Sequence, residues 1–250
     1  MRTILVTGAT GALGTHVTDL LRQGQDHVRT LSRHPDPTDP HAHTVDLRNG
    51  AGLHRALDGV HTLLHLASTP TGGDLQAATH LIGAARTARV HHLIYISIVG
   101  VDRIPLGYYK TKHTVEQALQ ASDLGVTILR TTQFHTLIEG LCQRMARLPA
   151  MPYPDVDAQP IDPAEVALRL ARLAQEEPAG RVHDLGGPHI EPFADLAHTY
   201  LQAHRMHKHR WPLRAPGRIF AAYRRGAHLA PDHPVGRTTF AQYLHNTTRP

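Results

Sequence analysis

The sequence holds one cysteine, Cys142, in 250 residues. A lone thiol rules out an internal disulfide, so the fold must rest on its core, and such sparing use fits a reducing compartment. No apolar run approaches the length of a membrane span, which argues against a membrane partner. The apolar N-terminus meets Gly8 almost at once, so it reads as a strand and not a signal peptide, and the expected location is the cytoplasm. No long Lys/Arg block occurs, although the formal net charge is +5 and the pI about 9.7. Scattered basic residues suit anionic small molecules and give no reason to expect nucleic acid. No internal repeat is present, and the oligomeric state is left open.

Metal-ligand spacing is missing too, despite 22 histidines. The pairs His41/His43 and His91/His92 and the stretch 204–209 lack a cysteine or carboxylate partner at a recognised spacing. They are expected to be surface residues, and no metal site is expected.

What is present starts at the N-terminus. Residues 3–7 form a short apolar run, and Gly8, Gly11 and Gly14 follow at G-x-x-G-x-x-G spacing. A helical pattern begins at Ala12, with Leu13, Val17, Leu20 and Leu21. Strand, glycine turn and helix place a pyrophosphate on a helix N-terminus. Gly8 lets the chain leave the strand, Gly11 leaves room for phosphate, and Gly14 lets the helix approach the sheet.

The stretch from Thr7 through Thr10, Ala12 and Leu13 to Gly14 resembles the extended and atypical short-chain dehydrogenase/reductases. It is nearest the NmrA-like NAD(P)H-binding members, which include quinone-reductase-like proteins. The resemblance covers most of the chain.

Strands and helices alternate through the first half, which predicts an α/β fold: a Rossmann doubly wound parallel sheet. Strands are expected at 28–31, 44–45, 61–67, 93–98 and 126–129. Helices are expected at 51–57, 75–88, 108–121 and 136–148, with a proline loop after Arg33 and a polar loop over 69–73. After Pro149 prolines crowd the chain. Asp162, Pro163 and Glu165 then open a helix well, 181–185 returns as a strand, and the chain from Pro192 onward reads as helical with basic and proline interruptions. The expected organisation is a Rossmann core over 1–148. Residues 149–250 would add a remaining core strand and helix and a small substrate-side lobe, within one structural domain.

The second strand ends Leu31-Ser32-Arg33, without the acid that would select NAD by its ribose hydroxyls. Arg33 is a planar cation suited to a 2′-phosphate, and Asp36, the nearby acid, lies in the proline loop. NADP(H) is therefore expected, with NAD(H) the alternative. By the family resemblance, Asp46-Leu47 would hold the adenine, Ala67-Ser68 would lie beside the ribose and pyrophosphate, and Thr131, Gln133 and Phe134 would belong to a loop walling the nicotinamide. The family's usual proline is replaced by Thr131.

Tyr108 and Lys112 stand four apart at the start of a predicted helix, hence on one face. An ammonium beside a phenol favours phenolate, so the tyrosine can exchange a proton nearer neutral pH. With Ser97 at the end of the fifth strand, they resemble the family's catalytic set: Tyr as acid/base, Lys on the nicotinamide ribose, Ser as orienter. Tyr109 with His113 offers a rival register, and in some atypical members the lysine alone holds the ribose. Cys142 lies in an apolar helix without an obvious base and is expected in the core. The function expected is NADPH-dependent reduction of a small carbonyl or quinone-like substrate. The alternative is a non-catalytic NADP(H)-binding sensor or accessory protein.

Overall fold

The computed structural model describes residues 1–35, 37–68 and 72–248. Asp36 and the first three residues of the polar loop at 69–73 lie outside the described residues. The chain divides into two compact units. One comprises Met1–Ser97, Gly107–Leu129 and Val166–Val182; the other comprises Ile98–Leu106, Arg130–Glu165 and His183–Pro250.

Strands and helices alternate from β1 (Thr3–Thr7) through α1 (Ala12–Arg22), β2 (His27–Ser32), β3 (Ala42–Thr44), α2 (Leu53–Leu57), β4 (Thr62–His65), α3 (Asp74–Thr87), β5 (His92–Ile98) and α4 (Gly107–Gln120) to β6 (Val126–Thr131), with β3 following β2 directly. After α5 (His135–Met145), β7 (Met151–Pro154), β8 (Asp157–Ala158) and α6 (Pro163–Leu173), β9 (Gly180–Arg181) completes a seven-stranded sheet in the order β3-β2-β1-β4-β5-β6-β9. The strand order reverses between β1 and β4, and both pairings of β1 are parallel. This is the Rossmann α/β fold, whose ligand crevice opens at that reversal.

Four residues of β1 and all of β4 are buried, as parallel strands covered on both faces must be. Leu5, Leu63 and Leu93 line up across β1, β4 and β5 and, with Leu31 of β2, pack with Leu81 and Ala85 of α3 and Val115 and Leu119 of α4. Each fully buried leucine contributes about 1.5–3 kcal/mol.

The other unit has its own core, where Ile138 and Cys142 meet Phe193, Leu196 and Phe240. Beyond β9 it contains β10 (Glu191–Pro192), α7 (Phe193–Ala203), β11 (Arg210–Leu213), α8 (Arg218–Arg224) and α9 (Phe240–Thr248). β10 pairs antiparallel with β8, and β11 pairs parallel with β7.

Several expected boundaries move. The third strand is Ala42–Thr44 and not 44–45, because its residues pair with Thr30 to Ser32. The strand expected at 181–185 is only Gly180–Arg181, with Leu185 in an isolated bridge to Thr131. The interruptions expected in the helical stretch from Pro192 onward include two short strands. Pro192 and Pro212 sit in two-stranded pairs, as Pro152 and Pro154 do, where a missing N–H is tolerated at an edge. Nor are the histidines confined to the surface. His65, His92, His135 and His228 are each at most 3% exposed, and each bonds a threonine hydroxyl or a backbone carbonyl.

Candidate active site

The chain leaves β1 at Gly8, whose φ of +71° is the left-handed region that glycine tolerates. A Cβ there would lie 2.8 Å from both Cα and N of Ala67, so the turn runs directly against the chain leaving β4. At Gly14 a Cβ would meet the Gly8 carbonyl and Ala9 Cα. Gly11 differs: its backbone is extended, and a Cβ would meet only the Gly8 carbonyl, at 3.3 Å. Gly11 caps α1 without a side-chain hydrogen bond, and the first turn of α1 holds no acid. A tight glycine cradle under an eleven-residue helix whose first amides lack a side-chain cap fits a pyrophosphate.

A cavity of about 290 Å³ opens above this turn. It brings together Gly8, Thr10, Gly11, Ser32, Arg33, Asp46, Leu47, Ala67 and Ser68. Thr10 and Ser32 hydroxyls are 3.3 Å apart. Ala67 N–H donates to Thr7 Oγ1 at 3.2 Å, which ties the end of β4 to the end of β1. Ala12 and Leu13 do not line the cavity but start α1, and Gly14 supplies the close helix contact.

The cavity is also lined by residues that sequence reasoning passed over, notably Arg48 and Asp74. Arg48 Nη2 donates to Asp46 Oδ2 at 2.8 Å, and its backbone N–H donates to Oδ1 at 3.0 Å. These hydrogen bonds hold the Asp46 carboxyl at about 2, well below the usual carboxylate range. The signal available was an arginine two residues beyond Asp46. For Asp74 it was an acid directly after the Gly72-Gly73 pair.

Tyr108 lies in the first turn of α4 and is partly exposed, while Tyr109 is 7% exposed and buried in the core. The Tyr108 hydroxyl is 2.8 Å from Ser68 Oγ, on the cavity wall. Burial pushes the Tyr108 phenol above its ordinary value, a proton donated by Ser68 would lower it, and the charge of Asp74 raises it.

Lys112 is 3% exposed. Its Nζ donates to the Tyr95 hydroxyl at 3.1 Å and to the Ile96 carbonyl at 2.9 Å, and sits 4.5 Å from the Tyr95 ring centroid. Burial brings the ammonium down to about 8, against the opposing pull of Asp74 and Glu116. His65 stacks on Tyr95 and shares a 2.9 Å hydrogen bond with Thr7 Oγ1. Burial first, and then the Lys112 charge, lowers His65 to about 3, so the ring is neutral. Tyr95 and His65 gave no sequence signal, because both sit inside strands that read as apolar.

Ser97 is 1% exposed, and its Oγ has no hydrogen-bond partner among the described residues. A buried hydroxyl without a partner costs about 1–3 kcal/mol, so it fits a bound polar group as its missing partner. Thr131, Gln133 and Phe134 belong to the other unit. There Thr131 ends β6, Gln133 donates to the His228 carbonyl at 3.1 Å, and Phe134 caps α5.

A family model described as NAD(P)H-binding matches residues 8–176. A reductase of (4-alkanoyl-5-oxo-2,5-dihydrofuran-3-yl)methyl phosphate from Streptomyces griseus is 31% identical over 195 residues, which are 74% of this chain and 68% of that protein. Two solved structures superpose with a TM-score of 0.81 over 98% of this chain. One is an NADPH-dependent quinone oxidoreductase from Escherichia coli complexed with NADPH (21% identity, all of that chain). The other is a nucleoside-diphosphate-sugar epimerase from Staphylococcus aureus (18% identity, 99% of that chain). At these identities the two structures establish the fold.

Proposed function

Since the chain belongs to the NAD(P)H-binding family, we propose that it is an NADPH-dependent reductase in which Tyr108 protonates the oxygen of a small carbonyl or quinone-like substrate. The observation that carries this reading is the register of α4: the Tyr108 hydroxyl reaches Ser68, a residue of the cavity lining, while Tyr109 turns into the core.

The residues that would hold the dinucleotide follow from chemistry. The glycine turn and the α1 amides suit the pyrophosphate, and Arg33 suits a 2′-phosphate. Asp46 and Leu47 would border the adenine, Ala67 and Ser68 the adjoining ribose, and Lys112 the nicotinamide ribose. When bound, NADPH supplies a hydride. Tyr108 holds a proton on its phenol oxygen and gives it to the substrate oxygen. Lys112, one helical turn on, places a positive charge that favours the phenolate left behind. Ser97 offers a hydroxyl to orient the substrate oxygen. The relative from Streptomyces griseus is named for a conjugated lactone substrate, and this supports including conjugated carbonyls in the substrate class.

One observation favours the non-catalytic alternative. The Lys112 ammonium is engaged by Tyr95 and Ile96 rather than by Tyr108. Consumption of NADPH against quinones, ketones and conjugated lactones separates the two. With any accepted substrate, Tyr108→Phe is expected to lose about 10²–10⁴-fold in turnover at nearly unchanged NADPH affinity, and Tyr109→Phe to change little. Full turnover in Tyr108→Phe removes it from the mechanism. NADPH binding without turnover of any substrate favours the sensor.

A further inference from the structure

The cavity wall carries an acid that the proposed reaction does not use. Asp74 opens α3 and is 7% exposed. Its Oδ2 lies 2.5 Å from Ser68 Oγ, which lies 2.8 Å from the Tyr108 hydroxyl. Proton count sets the direction of these bonds. Ser68 donates its one hydroxyl proton to Asp74 Oδ2. Ser68 then has no proton left for Tyr108 and serves it as an acceptor. A Ser68 proton turned the other way would stabilise the phenolate, and Asp74 withholds it.

We propose that Asp74 is a positioning residue that acts through Ser68 to set the proton affinity of Tyr108, turning the Ser68 hydroxyl so that it accepts from the phenol and does not stabilise the phenolate. This rests on the reading of Tyr108 as the proton donor. The titratable groups that act on Tyr108 are Asp74 of α3, Tyr95 of β5 and the adjoining Tyr109. Lys112, one helical turn on, has its Nζ committed to Tyr95 and Ile96. The group that speaks directly to the Tyr108 hydroxyl is therefore the Ser68–Asp74 pair.

The test uses the full chain labelled with 3-fluorotyrosine and followed by fluorine NMR as pH is raised. The Tyr108 signal is assigned as the one missing from Tyr108→Phe. Asp74→Asn keeps the shape and a weaker acceptor while losing the charge. It is expected to lower the Tyr108 titration midpoint by about one pH unit. In a Ser68→Ala background, where Asp74 has lost its route, the same substitution is expected to move it by less than half as much. An unchanged midpoint in Asp74→Asn overturns the proposal. So does a full shift that persists without Ser68, because Asp74 would then act by its field alone. The titration needs neither cofactor nor substrate. Failure of the donor reading is seen separately, in the turnover of Tyr108→Phe.

Discussion

Gly11 and Gly14 stand three residues apart in one motif, yet their substitution should have opposite consequences. At Gly14 a Cβ falls within 2.7 Å of Ala9 Cα and closer still to the Gly8 carbonyl. Both are backbone atoms, so relief requires α1 to move off the turn. Overpacking of this kind costs about 1–3 kcal/mol and at times more, and backbone-to-backbone contact puts Gly14→Ala at the upper end. For a chain of this size, about 3 kcal/mol lowers Tm by roughly 6–12 °C. At Gly11 the backbone is extended and the Cβ meets a single carbonyl oxygen at 3.3 Å. Loss of glycine at an N-cap costs under about 1 kcal/mol, so Tm should fall by less than roughly 4 °C. The new methyl group instead occupies the approach to the α1 amides. Gly11→Ala should therefore lose at least about tenfold in NADPH affinity, about 1.4 kcal/mol, and Gly11→Val should abolish binding. Thermal unfolding by circular dichroism paired with calorimetric titration of NADPH reads both quantities on each variant. Equal destabilisation at the two positions, or wild-type NADPH affinity in Gly11→Val with a native spectrum, would refute the reasoning.

Three further outcomes are expected. NADPH should bind more tightly than NADH, and Arg33→Ala should lose roughly tenfold or more in NADPH affinity, since a charge-assisted pair is worth about 1.5–3 kcal/mol. Calorimetric titration giving equal affinities for the two cofactors removes Arg33 from that role. Stability should fall on acidification, because burial holds His92 at about 4 and His65 at about 3, below the ordinary 6.5. The unfolded chain takes up those protons first, so the stability is whole above about pH 6.5 and is lost as pH falls toward 4 and then 3. Tm measured across that window should drop less steeply in His92→Gln than in the wild type, and parallel curves would count against the assignment. Lys112→Ala should lower NADPH affinity and turnover together, unlike Tyr108→Phe; an affinity equal to wild type in the same titration would detach Lys112 from the ribose.

Sequence alone determined the parts of this protein that are local. Three glycines after a five-residue apolar run dictate a strand, a turn and a helix start, because each depends on φ and on space within a dozen residues. The alternation of apolar strands and helical stretches dictates the parallel sheet, since parallel strands need crossovers. The short strands at Pro152, Pro192 and Pro212 were illegible, because proline argues against a strand unless an edge partner is already known. Tertiary structure alone decided which tyrosine of α4 reaches Ser68 on the cavity lining. Tyr108 and Tyr109 are adjacent and chemically identical, and only the packing of α4 in the core buries one and presents the other. It also decided what surrounds them. Asp74 reaches Ser68 from α3, and Lys112 reaches Tyr95 from a helix seventeen residues away. The same burial keeps His65 and His92 neutral at physiological pH. Such contacts arise where the chain folds back on itself, and charge state follows from the desolvation that this folding imposes.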